Sequence, residues 1–324
     1  MYSSPAATDS QFPLNDTQEW QALAKRVGWD TEYYQMDPGA LDGSFKFSVT
    51  ANLRIGSPYT NKSIMIRGVP PADCCALLIP MTPGDNGIFQ GQAFGRGQAA
   101  IMCPGHESCY RTSTPNRFIS VSIPVERLRS VVEQSTEHSL EPLLMENRIV
   151  PMEAQALPQL QRWLQQVITG HAGTGGAMHS ATELAEIEQH IVGALALALT
   201  ERPDDTPRRV AQRRQVFLHA RDYIDNHLET PLGLEAIARE TQVSLRTLRY
   251  SFQQMAGLNP LQYIKLRRLS AVRRLLREGD PAQLSVTAVA MRCGFNHMSY
   301  FARDYRAMYG ELPGQTLNNL KRGR

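Results

Sequence analysis

Residues 234–313 read twice as the same unit, and this internal repeat constrains the chain more than any other feature. The first copy runs from Ala238 through Val243, Ser244, Leu248 and Phe252 to Gly257 and Pro260. The second runs from Ala290 through Phe295, Asn296, Phe301 and Tyr305 to Gly310 and Pro313, with one extra residue in its turn. Each copy predicts a short helix, a turn ending in a capping Ser or Asn, and a second helix closed by Gly and then Pro. That is helix-turn-helix grammar, and a tandem pair of such units is suited to reading duplex DNA.

The side chains sharpen this expectation. At about 100° per residue, Leu245, Leu248, Phe252 and Met255 form one apolar stripe of the first candidate recognition helix, and Arg246, Arg249, Tyr250 and Gln253 form the adjacent face. In the second copy Met298, Phe301, Tyr305 and Met308 make the stripe, beside Ser299, Ala302, Arg303 and Arg306. Arginine and glutamine carry paired hydrogen-bonding groups that fit guanine and adenine edges in the major groove. Ser244, Thr247 and His297, at the helix starts, complete the expected DNA contacts.

Val243-Ser244 through Phe252, Gly257 through Pro260, and Cys293-Gly294-Phe295 through Gly310-Glu-Leu-Pro313 together resemble the DNA-binding domain of the AraC/XylS family of transcription regulators. By that resemblance, base-reading positions fall on Arg246, Arg249 and Tyr250, and on Met298, Ser299, Ala302 and Arg303. Many members follow the final Pro with Tyr-Arg, whereas this chain has Gly314-Gln-Thr-Leu-Asn. The resemblance further implies an activator that works with promoter DNA and RNA polymerase, answers to a small-molecule effector and forms a homodimer. Gly43–Leu128, Leu245-Arg-Thr-Leu-Arg and Leu269-Ser-Ala-Val-Arg-Arg274 are similar to the ethanolamine-utilisation operon regulator within that family.

Charge divides the chain. From Arg208 onward there are 20 Lys and Arg against 9 Asp and Glu, a net of +11, while the preceding residues carry a net of −8. The basic half is the electrostatic footprint of a polyanion binder; the acidic half is not expected to touch DNA. The 324 residues suffice for two cores. The start lacks a basic segment leading into an apolar run, and Ile191–Leu199 is too short to cross a bilayer, so neither signal peptide nor membrane partner is expected. Five cysteines without framework spacing suit a reduced, cytoplasmic setting.

The remaining organisation predicts a two-domain α+β protein. Residues 1–200 form the sensing and dimerisation half, 201–214 a linker rich in Pro and charge, and 215–324 the reader, with units at 234–257 and 286–310. Residues 1–16 read as a loose tail and Thr17–Gly28 as a short helix. Short β runs at 45–49, 53–55, 63–67, 75–79, 99–102 and 118–123, separated by turn residues such as Gly56-Ser-Pro58 and Pro83–Gly87, predict a cupin-like β-barrel or jelly roll over 43–123. Helical patterns follow at 124–137, 153–169 and 183–201, with a Gly-rich break at 170–176. The stripe Leu184, Ile187, Ile191, Leu195 and Leu199 serves either the chain's own core or a dimer seam, which Gly193, Ala194, Ala196 and Ala198 would let close tightly.

Catalytic constellations are weak. Cys103-Pro-Gly-His106-Glu107-Ser-Cys109 has ligand-like spacing but no second cluster to complete a tetrahedral set. The His-x-His of a metal-bearing barrel is missing, and Gly91–Gly97 reads as a hairpin turn. Neither metal nor cofactor is implied. Tyr59, Phe89, Phe94, His106 and Tyr110 are candidates to line an effector pocket. The competing class, an enzyme or DNA-repair methyl acceptor with a DNA-binding tail, would need a reactive Cys in a Pro-Cys-His-Arg-like setting, which does not occur.

Overall fold

The computed structural model describes residues 10–50, 52–81, 86–135, 139–152, 156–170, 181–200, 208–280 and 283–322. The chain divides into two compact units, Met1–Tyr33 with Asp42–Asp205, and Tyr34–Leu41 with Thr206–Arg324.

The first 205 residues carry β1 (Ser10–Pro13), α1 (Thr17–Arg26), β2 (Asp30–Gln35), β3 (Gly43–Val49), β4 (Arg54–Thr60), β5 (Ile64–Val69), β6 (Cys74–Pro80), β7 (Gly87–Phe89), β8 (Gln92–Phe94), β9 (Gln98–Met102), β10 (Ser108–Arg111), β11 (Asn116–Pro124) and β12 (Arg148–Pro151). Helices α2 (Val125–Ser135), α3 (Ala156–Gly170) and α4 (Ala181–Thr200) follow or flank the last strand. Strand β6, Cys-Cys-Ala-Leu-Leu-Ile-Pro, is buried throughout and shows how the layers arise. Cys75, Leu77 and Ile79 join a core shared with α2, α3 and α4, while the alternate residues Ala76 and Leu78 join a second core with Phe89, Phe94, Tyr110 and Phe118. Such two-sided burial requires a layer on each face of the sheet.

Those layers are a seven-stranded sheet, β1-β3-β4-β11-β6-β9-β12, with helices on one face and a five-stranded sheet, β2-β5-β10-β7-β8, on the other. Both sheets are open, so the two layers are not closed into the expected cupin-like β-barrel or jelly roll. The outer strands β1 and β12 have only four residues each and end in proline, which keeps them from pairing further. Strand β4 runs straight through the expected turn at Gly56-Ser-Pro58. Its pairing with β11 skips Ser57 and Pro58, where proline has no N–H to give, while β3 still pairs along the whole stretch. Ser10–Pro13 pairs with β3, so this part of the expected tail is a strand. Gln90 and Gly91, both at positive φ, make the hairpin between β7 and β8. Asp16 caps α1 by accepting from Gln18 N at 2.8 Å. The α4 stripe Ile191, Leu195 and Leu199 is fully buried within this unit, with Leu184 and Ile187 packed against it. Residues 83–85 and 171–176, expected as turn and break, lie outside the described residues.

The second unit is helical: α5 (Arg208–Asn226), α6 (Leu234–Glu240), α7 (Leu245–Ala256), α8 (Pro260–Glu278), α9 (Val286–Arg292), α10 (Met298–Tyr309) and α11 (Pro313–Arg322). The linker expected over 201–214 is helix from Arg208 onward, and 201–207 lies outside the described residues. Val-Ala-Gln-Arg-Arg-Gln is good helix-forming sequence, and Phe217, Ala220 and Ile224 anchor the helix through a buried face. Phe217, Phe252 and Tyr263 meet edge to face at 5.0–5.7 Å and form the centre of the first repeat. Phe301, Tyr305 and Tyr309 do the same for the second, at 4.8–5.8 Å. Helix α11 forms despite Gly314-Gln-Thr-Leu-Asn, because its own Thr316 and Leu317 are buried against the second repeat.

Candidate nucleic-acid interface

Helix α7 starts at Ser244, whose hydroxyl accepts from Thr247 N at 3.1 Å, and ends at Gly257 in the left-handed region. Leu248, Phe252 and Met255 are buried. The opposite side presents Arg246, Arg249, Tyr250 and Gln253, all exposed. The Arg246 guanidinium lies over the Tyr250 ring at 5.5 Å, a cation–π contact that holds both extended from the surface. Tyr250 is 49% exposed, more than a packing residue would be.

Helix α10 repeats the plan over the same twelve-residue length and ends at Gly310, again left-handed. Phe301 and Tyr305 are buried, while Ser299, Arg303 and Arg306 are exposed. Two of the expected contacts sit differently. Met298 is half-buried and packs against the unit's core, as its place in the apolar stripe dictates, and Ala302 is half-buried. The cap also moves: His297, not Asn296, is the N-cap, and its side chain makes no capping bond. The extra residue of the second turn accounts for this shift.

Helix α8 holds the two units together. Asn259 and Gln262 form a reciprocal capping box at its start, at 2.9 and 3.0 Å. Arg268 donates to three backbone carbonyls, Leu228 at 3.0 Å, Thr230 at 2.6 Å and Gly294 at 3.1 Å, and so ties the loop after α5 to the turn of the second repeat. Arg273 pairs with Glu311 at 3.0 Å, Glu311 accepts from Thr316 at 2.8 Å, and Thr316 meets the Tyr305 hydroxyl at 2.9 Å. This buried network docks α11 on the second repeat. Arg267, which helical spacing alone would allow as a phosphate contact alongside Arg274, is instead buried and paired with Asp225 at 3.0 Å. Arg274 is exposed. Leu261, in the first turn of α8, is 55% exposed.

Two further side chains join the exposed faces. Arg213, within the segment expected as linker, reaches the Tyr250 ring at 5.5 Å and donates to Gln254 at 2.9 Å. Tyr300 is exposed on α10, with Arg303 over its ring at 4.9 Å. The Arg-Arg pairs at 208–209 and 213–214 were the available signal for the first; for Tyr300, only its offset from the apolar stripe marked it.

The comparisons with known proteins agree with this arrangement. A helix-turn-helix domain model matches residues 237–319. The XylDLEGF operon transcriptional activator 2 of Pseudomonas putida is 30% identical over 134 residues, which is 41% of this chain and 85% of that relative. The chain belongs to the AraC/XylS family.

Another relative, the probable thc operon regulatory protein of Rhodococcus erythropolis, is 36% identical over 99 residues, 31% of this chain and 30% of that one. The chain spans 30–44% of the length of the first curated relatives it matches. Among solved structures, the AraC-like transcriptional activator CuxR covers 87% of this chain and 100% of its own at 15% identity, with a TM-score of 0.44.

The sheet-rich first unit holds a cavity of a different kind. Of the residues expected to line an effector pocket, Tyr110 borders a cavity between the two sheets. Phe89 and Phe94 lie fully buried in the core behind it, within 6.2 Å of each other. Tyr59 packs under Arg117, and His106 is exposed beside the Pro104 carbonyl at 2.9 Å. Cys103 donates to the Glu146 carbonyl at 3.1 Å, and burial pushes its thiol up to about 11, so it stays protonated at neutral pH. Among the described residues no group of three His, Cys, Asp or Glu is placed to hold a metal ion, and no helix is long and apolar enough to cross a membrane.

Proposed function

We propose that this AraC/XylS-family protein is a small-molecule-responsive transcription activator that binds double-stranded promoter DNA through α7 and α10. One observation carries the reading: two helices of equal length, each stopped at a left-handed glycine and buried along a matching stripe, each present an exposed basic face. Arg246, Arg249, Tyr250 and Gln253 read one DNA segment; Ser299, Arg303 and Arg306 read the other, with Met298 and Ala302 at its edge. Ser244, Thr247 and His297 lie where the helix starts meet the backbone. The two helices enter successive major grooves, with target segments about one helical turn, roughly 10 base pairs, apart. Exposed Arg274 contacts phosphate without reading sequence.

The sheet-rich half senses the effector, and its double-sheet layering supports a jelly-roll, cupin-like ancestry. The homodimer contact lies on α4 where Gly193 and Leu197 face outward, since nothing stands within 4 Å of a Cβ placed on Gly193 and Leu197 is 52% exposed. RNA polymerase is the partner that activation requires, in a cytoplasmic setting. The finer kinship with the ethanolamine-utilisation operon regulator rests on the segments at 43–128, 245–249 and 269–274. No catalytic step enters this reading.

The test is binding-site selection with the full chain, followed by footprinting at several salt concentrations. Two protected segments about a helical turn apart are expected, with affinity falling by orders of magnitude over a several-fold rise in salt if about six or more phosphates are neutralised. Salt-independent binding, or a single protected segment, would refute the reading.

A further inference from the structure

The cavity between the two sheets of the first unit has a volume of about 70 Å³. Its walls follow from strand alternation. Arg54, Gly56 and Pro58 point inward from β4, and Phe118, Ser120 and Ser122 point inward from β11. The register pairs Arg54 with Ser122 and Gly56 with Ser120, so one end of the cavity gathers a guanidinium and two hydroxyls. The other end is aromatic: Trp20 meets Tyr33 at 5.7 Å and Phe45 at 6.4 Å.

The polar inventory has one sign. Among the described residues Arg54 is the single charged side chain on the cavity wall, and no Asp, Glu, Asn or Gln lines it. Arg54 contacts the Cys74 sulfur at 3.7 Å, and among the described residues no carboxylate forms an ion pair with it. At the aromatic end the Trp20 indole N–H, on a ring only 4% exposed, donates to no acceptor among the described residues. A buried donor left unmatched costs free energy that an acceptor-bearing ligand would recover. A cation would face Arg54 with no counter-charge, whereas a carboxylate would gain a charge-assisted bond there. At about 10–15 Å³ per water-sized group, the space takes about five to seven heavy atoms.

We infer that this cavity is an effector site for a small apolar monocarboxylate, a short straight or branched chain whose carboxylate rests on Arg54 and Ser122. The inference deepens the proposed function and rests on its sensing half. It sets the effector apart from amines, ethanolamine among them, because among the described residues no carboxylate lines the wall to neutralise an ammonium group and Arg54 would repel one.

The experiment is calorimetric titration of the full chain with sodium propionate, isovalerate, octanoate and benzoate, and with isovaleramide and ethanolamine hydrochloride as controls. Propionate and isovalerate are expected to bind about tenfold or more tightly than isovaleramide, as one charge-assisted contact provides. Ethanolamine should give no heat of binding. Arg54→Gln should bring the acid-to-amide ratio to about one, and Arg54→Lys should keep much of it, which a merely structural arginine would not do. Binding of ethanolamine, equal binding of acid and amide, or no binding by any acid would overturn the assignment. A preference for octanoate or benzoate over isovalerate would overturn the size limit. DNA binding measured on the same preparation separates the two readings. DNA binding without acid binding removes this inference alone, and acid binding without DNA binding removes the proposed function alone.

Discussion

A Cβ placed on Gly294 would stand 2.7 Å from the Cζ of Arg268 and 2.6 Å from the Leu228 carbonyl oxygen. The residue at the turn of the second repeat must therefore be glycine for the arginine of the connecting helix to reach it, and its φ of +83° demands the same. Gly294→Ala should cost about 1–2 kcal/mol from backbone conformation alone, with the clash added. Arg268→Met should cost about 2 kcal/mol by stripping three carbonyls of their donor. The diagnostic readout is spacing. On duplexes whose two segments are separated by one or two extra base pairs, the Arg268→Met protein should lose less affinity than the parent, while its base preferences within each segment stay unchanged.

Arg249→Ala and Arg303→Ala should each cost about 1–3 kcal/mol of DNA affinity and relax preference at different base pairs. Tyr305→Phe should alter neither, because the ring is buried behind the reading face. Site selection with each variant checks this, and loss of discrimination by both arginine variants at the same positions would refute the docking.

Arg267→Ala acts on folding. Removing a guanidinium that is only 8% exposed breaks its ion pair with Asp225 at 3.0 Å, a loss of about 3–5 kcal/mol by analogy with broken buried pairs. A thermal melt of the full chain should show a large drop, whereas Arg274→Ala should melt like the parent and bind all sequences more weakly.

Glu311 anchors the last helix through Arg273, Thr316 and Tyr305. Glu311→Ala removes the carboxylate that pairs with buried Arg273, at a cost of about 3 kcal/mol. Glu311→Gln, which retains the hydrogen bonds without the charge, should fall between the two in a denaturant titration.

The five cysteines are free and buried, and burial pushes Cys74 and Cys103 up to about 11. In the unfolded chain a thiol titrates near about 8.5. These folded values are raised, so their stabilisation is fully present below about pH 8.5 and is lost as pH climbs through about 11. Melting temperature should decline across that alkaline window, and a thiol reagent at neutral pH should label the native chain far more slowly than the urea-unfolded one.

The tandem repeat was legible because its helices obey a strict apolar period and end at glycines that only a left-handed cap requires. Gly257 and Gly310 both occupy that conformation. The fate of Arg267 was not legible, since its partner Asp225 lies on another helix and nothing local marks an arginine for burial. Gly56-Ser-Pro58 misled for a related reason: turn residues are tolerated inside β4 because pairing with β11 opens there, a fact of sheet order. Of the cavity's aromatic rings only Tyr110 stood among the expected pocket residues, and Arg54 and Ser122 gained meaning only when the register brought them together.

The two twelve-residue helices match in their closing glycines and core and differ in what they show. Position by position, Arg246, Arg249, Tyr250 and Gln253 of the first answer to Ser299, Ala302, Arg303 and Arg306 of the second. A single chain therefore has a head and a tail on the duplex. Turning its target end for end makes a different message, and the orientation of a promoter site would decide which side of the molecule faces downstream.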